Sequence, residues 1–281
     1  MTVITSSPKT DKLPEGATLT FQFDSLAEMV AQASKPCHSA WGTLPVSHHE
    51  DRKDWYGSKD WGEACKMAEH GWPEGRAKIG DALAIASASH AGRALAKRYD
   101  VAGDWPDAGR AAAGDPLAMV RRSDAKRGAA RVVRIGWNVT ASCRVTGAEF
   151  IINRGAAVCA LIDYLESNGR RVELTCLLRA KTGGRPLASA NVTIKRASDP
   201  LDVDAVAFAC ASPAFFRRFG LALIEQTSVL VFGHGHPEAA SAAEMAEFNL
   251  YLPHQFGSNP EWETPEKARA EMQRLAEAAG L

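Results

Sequence analysis

The 281-residue sequence predicts an α/β protein: a mostly parallel sheet with helices on both faces and one antiparallel edge strand, preceded by a helical N-terminal region. Three observations carry that expectation. From Val132 onward, strand-like apolar runs alternate with helical stretches, the order that builds a parallel sheet flanked by helices. The pair Gly183-Gly184 sits between two strand runs, where glycine supplies the positive φ a tight hairpin needs, so one antiparallel partner interrupts the parallel order. Ahead of position 100 the apolar residues recur at helical spacing, and no strand-like run stands out.

Residues 1–18 are polar and broken by Pro8, Pro14 and Gly16, which predicts a flexible leader. Residues 19–99 read as a helical region. A first helix follows Asp24, which is placed to cap it, with Leu26, Met29 and Val30 on one face. A second runs from Ser58, as cap, to His70, where Gly71 and Trp72-Pro73 stop it. A third carries Ile79, Leu83, Ala86, His90 and Leu95. Residues 100–281 form the α/β domain, opening with turn chemistry at Gly103, Pro106, Gly114 and Pro116 around a short alanine-rich helix. Then follow a strand from Val132, a long helix stopped by Gly169, two strands joined at Gly183-Gly184, and an apolar helical stretch broken near Pro213. Two short strands, SVLVFGHGHP and EFNLYLPH, and an amphipathic helix capped by Thr264 complete the chain.

Composition narrows the function classes. With 46% hydrophobic and 23% charged residues the chain can bury a sizeable core. Lys plus Arg and Asp plus Glu are equal at 33 each, so no overall field recruits nucleic acid or anionic lipid. No apolar run reaches the roughly 20 residues a membrane helix needs, and the first residues lack the apolar core of a signal peptide. The six cysteines are scattered, without metal-site or disulfide spacing, which points to a reducing cytoplasm.

The most informative stretch is VVRIGWNVTASC, a buried-looking strand that ends in side-chain oxygens at alternate positions, Asn138, Thr140 and Ser142. The order strand, oxygen-bearing loop, long helix, strand and antiparallel partner resembles von Willebrand factor A-type domains. In those domains the first strand ends in Asp-x-Ser-x-Ser, which holds a divalent ion. Hydroxyls match here at Thr140 and Ser142, whereas Asn138 stands where the carboxylate belongs. Hard ions such as magnesium are held mainly by carboxylates, so no cofactor is expected on these residues alone. Asp199, Asp202 or Asp204 would have to restore the charge. The competing structural expectation is that Asn138, Thr140 and Ser142 cap the following helix and bond the turn's own amides.

A longer likeness covers roughly residues 55–255. Its landmarks are Tyr56-Gly57, Gly71-Trp72-Pro73-Glu74-Gly75, Asp104-Trp105-Pro106-Asp107, Gly114-Asp115-Pro116-Leu117-Ala118-Met119, Arg154-Gly155-Ala156-Ala157 and Leu165-Glu166-Ser167-Asn168-Gly169. On these the sequence resembles an uncharacterised family of bacteriophage and prophage proteins with a domain of unknown function. The resemblance implies a phage origin, and a host cytoplasmic location, without a reaction.

Other candidates are weaker. Gly233-His234-Gly235-His236-Pro237 follows a strand, where crevices open in α/β sheets, and makes His234 and His236 the candidate catalytic residues if the chain is an enzyme. Asp104, Trp105 and Asp107, with His234 and His236, form the candidate binding surface. The basic stretch Arg121 to Arg134 lacks the interleaved aromatics of single-strand binders and reads as a solvated linker. Arg217-Arg218 read as cations complementing a helix end. Cys37, His38, His48, His49, Cys65 and His70 lack zinc spacing. The primary expectation is an interaction or scaffolding protein with an unidentified protein partner. A weakly metal-dependent hydrolase and a nucleic-acid-binding accessory protein are the alternatives.

Overall fold

The computed structural model describes residues 2–4, 19–35, 53–77, 79–80, 97–103, 105–122, 132–141, 146–182, 185–226, 236–257 and 259–281. Contacts within the chain group into two compact units, one of residues 1–84 with 132–281 and one of residues 85–131. This division differs from the expected boundary at residue 100.

The first unit opens with two strands, β1 (Thr2–Ile4) in the stretch expected to be a flexible leader and β2 (Leu19–Phe23) in the region expected to be helical. LTFQF is only five residues long, and it becomes a strand by pairing with residues 188–192, far along the chain, so local periodicity hid it. Helix α1 (Leu26–Ala33) is capped by Ser25, not Asp24: the Ser25 hydroxyl accepts the Glu28 N–H, and Glu28 in turn accepts the Asp24 N–H. After α2 (Lys53–Tyr56) comes α3 (Trp61–His70), capped by Asp60 at 2.7 Å from the Glu63 amide and ended at Gly71. Ser58 does not cap it: its hydroxyl donates to the Asp60 carbonyl and accepts from Arg218 Nε.

The second unit carries β3 (Lys97–Asp100), β4 (Trp105–Pro106), α4 (Ala108–Ala112) and β5 (Met119–Arg122). Its strands pair antiparallel in the order β3-β5-β4. Residues 97–99, expected to be part of the helical region, are therefore strand, with Tyr99 paired to Val120; most of the expected third helix lies outside the described residues. Asp107 caps α4 by accepting the Arg110 N–H, and Tyr99 donates its hydroxyl to the same carboxylate.

The first unit resumes with β6 (Val132–Asn138), α5 (Ala148–Ser167), β7 (Arg171–Thr182), β8 (Arg185–Lys195) and α6 (Val203–Ala211). A π-helix (Phe215–Gly220) runs into α7 (Leu221–Glu225). Strand β9 (His236–Pro237), α8 (Ala242–Met245), β10 (Leu250–Leu252) and α9 (Pro265–Ala278), capped by Thr264 as expected, complete it.

The sheet order is β1-β2-β8-β7-β6-β10, with β9 beside β7. Pairs β2/β8, β7/β6 and β6/β10 are parallel and β7/β8 is antiparallel, so the protein is mixed α/β with a mostly parallel central sheet. The antiparallel strand β8 is not at the edge, because β2 occupies its outer side.

Alternate residues of the strands, Phe21, Phe23, Ile135, Trp137, Leu174, Cys176, Leu178 and Val192, are buried in one core with α5, α6 and the π-helix. Within it Phe208 stacks edge-on against Phe215 and Phe219, both at 6.1 Å. Each such side chain contributes roughly 1.5–3 kcal/mol by leaving water. Helices α5 and α6 cross so closely that a Cβ on Gly155 would lie 2.2 Å from the Cys210 carbonyl oxygen. The helical layers are unequal. Among the described residues the opposite face carries α8, four residues long, and the Phe248 ring, against which a Cβ on Gly136 would collide at 2.5 Å.

Arg217 and Arg218 are 1% and 0% exposed, contrary to a helix-end role in water. They bind α2, the turn after it and the segment before α5: Arg217 donates to the Trp55 and Thr146 carbonyls, and Arg218 donates to the Ser58 hydroxyl and carbonyl and lies 3.8 Å over the Tyr56 ring. The π-helical turn places both guanidiniums on one side of a helix packed by apolar residues on the rest. No single helix among the described residues is long and apolar enough to cross a membrane.

Candidate functional site at the carboxyl edge of the sheet

Strand β6, which lies inside the sheet between β7 and the edge strand β10, runs out at Asn138. Asn138 is 0% exposed, and its side chain is fully used. Oδ1 accepts the Thr140 N–H at 3.1 Å, and Nδ2 donates to the Glu238 carbonyl at 2.8 Å and to Tyr251 Oη at 3.2 Å. Thr140 Oγ1 accepts the Arg179 N–H at 2.8 Å. Asn138 thus satisfies an amide of its own turn, whereas Thr140 satisfies the Arg179 amide of the neighbouring strand β7, and neither caps α5, whose first turn follows Gly147 without a side-chain cap.

Around them lies a polar network on β7, β8 and β10. The Arg179 guanidinium donates to the Leu178 and Ala190 carbonyls, to Asn191 Oδ1 and to Glu244 Oε1, the last two at 2.6 Å. Burial pushes the Glu244 carboxyl up, but the Ser241 amide and hydroxyl and the Arg179 charge outweigh it, and the net shift is downward. Lys181 approaches Glu238 at 3.6 Å. His236 is exposed on β9, opposite Lys181. Tyr251 Oη accepts the Ala240 N–H as well as that of Asn138, tying the segment before α8 to β10.

Past β10 the chain returns to the same edge. Gln255 bridges to Ala141 and donates its N–H to the Thr140 carbonyl. His254 is half-buried; burial lowers its pKa first, and the nearby Arg154 and Lys181 charges lower it further against the pull of Glu238. Its Nδ1 has no hydrogen-bond partner among the described residues. Arg154, from α5, is 4% exposed and stacks 4.1 Å over the Trp137 ring while donating to the Pro253 carbonyl. Burial pushes its guanidinium down to about 9.

The acids offered to complete a metal shell are elsewhere. Strand β8 runs antiparallel, so its end at Lys195 lies beside Leu174, near the start of β7. Asp199, Asp202 and Asp204 therefore sit beyond the amino edge of β6, a strand length of about 20 Å from Asn138. There Asp202 caps α6 through the Asp204 and Ala205 amides, and Asp204 pairs with Arg76 at 3.1 Å. The structure does not bring Asn138 and Thr140 together with Asp202. No group of three His, Cys, Asp or Glu side chains converges at metal-binding distance among the described residues.

Ser142, Asp104 and His234 lie outside the described residues, as do Cys37, His38, His48, His49 and most of the basic stretch. Trp105, in β4, and Asp107, before α4, belong to the second unit, whereas His236 belongs to the first. Arg134 is exposed at the opposite end of β6 from Asn138. Sequence reasoning missed Arg154, Arg179, Tyr251, His254 and Gln255. The signal for the last three was a polar cluster, Tyr-x-x-His-Gln, running from within a short strand past its end, and only the parallel register with β6 reveals where it lands.

The fold and this edge define a mixed α/β protein with a polar, side-chain-rich site where its parallel strands end. The family it belongs to is described as a domain of unknown function (DUF7192), which matches residues 6–281. No curated protein and no solved structure matches the chain.

Proposed function

We propose that this is a phage-encoded recognition protein of the host cytoplasm, built on a von Willebrand A-like sheet that binds a protein partner at its carboxyl edge without an ion. The strand order β8-β7-β6-β10, with β8 antiparallel, supports the likeness. The added strands β1 and β2 depart from it. Cys159, Cys176 and Cys210, buried as free thiols in one core, are in keeping with a reducing compartment.

One observation carries the reading. The oxygens of Asn138 and Thr140 are spent on amides, and the rim around them presents partly exposed charges held in place by partners, Lys181 with Glu238 and Glu244 with Arg179. Pre-positioned polar groups at the mouth of a rigid sheet suit a partner's surface, because little side-chain freedom remains to be lost on association. The test is a pull-down from expressing cells with the immobilised full chain and with the Lys181→Glu, His236→Glu double variant. A partner retained by the unmodified chain and lost by the variant, with melting temperatures unchanged, is the expected result. Capture of no partner, or equal capture by both, overturns the proposal.

A further inference from the structure

On the helix side of the same edge, between β6, α5 and α6, lies a small cavity of about 10 Å³, the room that a single water takes. Trp137, Arg154, Gln255 and Ser212 line it, with Val139 and Ile151 among its apolar walls. The four polar residues are 2%, 4%, 2% and 3% exposed. Trp137 Nε1 and Gln255 Nε2 have no hydrogen-bond acceptor among the described residues. Ser212 Oγ accepts the Ala214 N–H and keeps its own hydrogen to give. The Arg154 guanidinium donates to the Pro253 carbonyl and stacks on the Trp137 and Trp262 rings, and among the described residues its nearest acid, Glu261, acts on it only from beyond ion-pair distance.

Buried donors without acceptors are rare in folded proteins, and here two of them accompany a buried cation. Burial lowers the guanidinium to about 9, so it stays charged at neutral pH. A water in this cavity brings two hydrogens of its own, and of the lining side chains named only the Ser212 oxygen, with the Cys210 sulfur beside it, could take them. It also leaves the Arg154 charge uncompensated. An acceptor that has no hydrogens and carries negative charge answers both demands. Room for one water excludes carboxylates, phosphate and sulfate and leaves a monatomic ion.

We propose that this cavity holds a single halide ion, chloride in practice, bound by the Trp137, Gln255, Ser212 and Arg154 donors. The inference stands apart from the partner-binding rim, since Lys181, His236, Glu238 and Glu244 do not line the cavity. Its ligands come from β6, α5, the end of α6 and the segment after β10, so that corner of the fold responds to chloride itself and not to ionic strength. In the test, the full chain with ¹⁵N-labelled tryptophan, dialysed into sodium gluconate to remove halide, is titrated with sodium chloride, bromide, iodide, formate and sulfate at constant ionic strength. Trp137→Phe assigns the indole resonance of Trp137.

The expected result is a saturable shift of that resonance with chloride, weaker with bromide and absent with iodide, formate and sulfate, the order that a tight cavity imposes. Gln255→Leu weakens chloride binding at least about tenfold, the worth of one hydrogen bond to a charged group. Should that variant fail to fold, Arg154→Met, which keeps the stem and removes the charge, serves in its place and abolishes the response. No saturable shift with chloride up to roughly 300 mM, well above a Kd of about 10 mM, overturns the proposal and leaves the donors to a trapped water. Shifts of equal size with formate or sulfate report screening, and a chloride shift that the variant leaves unchanged marks an adventitious ion only; either result overturns it too.

Discussion

Asn138→Asp tests the central claim about the sheet edge, because it restores the carboxylate of the metal-binding pattern at the position where that pattern would need it. The side chain is 0% exposed, so the new charge enters a site without water. One oxygen keeps the Thr140 N–H at 3.1 Å, and Tyr251 can turn its hydroxyl to donate. The other oxygen replaces Nδ2 and faces the Glu238 carbonyl at 2.8 Å, acceptor against acceptor. Losing that bond and leaving the carbonyl unpaired costs about 1–3 kcal/mol, and the incompletely compensated charge adds to it, for a net destabilisation of about 2–4 kcal/mol. At roughly 2–4 °C per kcal/mol for a chain of this size, melting falls by about 5–15 °C at pH 7.5. Because the buried Asp has a raised folded pKa, its deficit is absent below the unfolded carboxylate range, about pH 4, and grows as pH rises through the folded value. Thermal melts at pH 5 and pH 7.5, each with and without magnesium, measure this. A variant as stable as the parent at pH 7.5, or one that magnesium stabilises by several degrees, would refute the argument that the edge is closed by its own hydrogen bonds and lacks a second carboxylate.

Gly155→Val forces side-chain atoms into the Cys210 carbonyl, where even a Cβ stands 2.2 Å away, and urea melts should show a loss of about 3 kcal/mol or more. Lys195 is 2% exposed and reaches Glu166 at 2.8 Å. Burial raises the Glu166 carboxyl, but Lys195 and the Val172 amide lower it more. That stability is present above the unfolded carboxylate range and fades as pH drops through the lowered folded value. Glu166→Gln should therefore cost about 3 kcal/mol at pH 7, its denaturation curve converging with the parent's below about pH 4. His254, lowered first by burial, must gain a proton on unfolding below about pH 6.5, so parent stability declines from there as pH falls. His254→Gln should remove that part of the slope in melts between pH 7 and pH 5, and an unchanged slope would contradict the burial argument.

What the sequence disclosed followed from how local each feature is. The α/β alternation after Val132, the Gly169 stop and the Thr264 cap are short-range signals, and all appear where expected. Strand β2 and the interior place of β8 depend on a pairing between distant segments, which no window around LTFQF contains. Arg217 and Arg218 looked like helix-end cations because a doublet after phenylalanines gives no hint of a π-turn buried against Trp55 and Tyr56. At the candidate site Asn138 and Thr140 were recognisable by spacing. Asp202 was assigned to the wrong end of the sheet because strand direction, not distance along the chain, decides which edge a loop reaches. Tyr251, His254 and Gln255 join the site only through the register of Leu252 beside Trp137.

The place of β2 bears on how the chain avoids sticking to itself. Strand β8 is eleven residues long, and without its neighbour it would offer a free row of amides and carbonyls to any passing strand. The five residues of β2, with β1 on their outer side, cover the middle of that row, while the other strands of the sheet come from segments more than a hundred positions later. During synthesis the covering strands emerge before the strand they cover. Trimming the chain past Phe23 should therefore yield a protein whose secondary structure persists but which associates edge to edge, visible as concentration-dependent growth in light scattering.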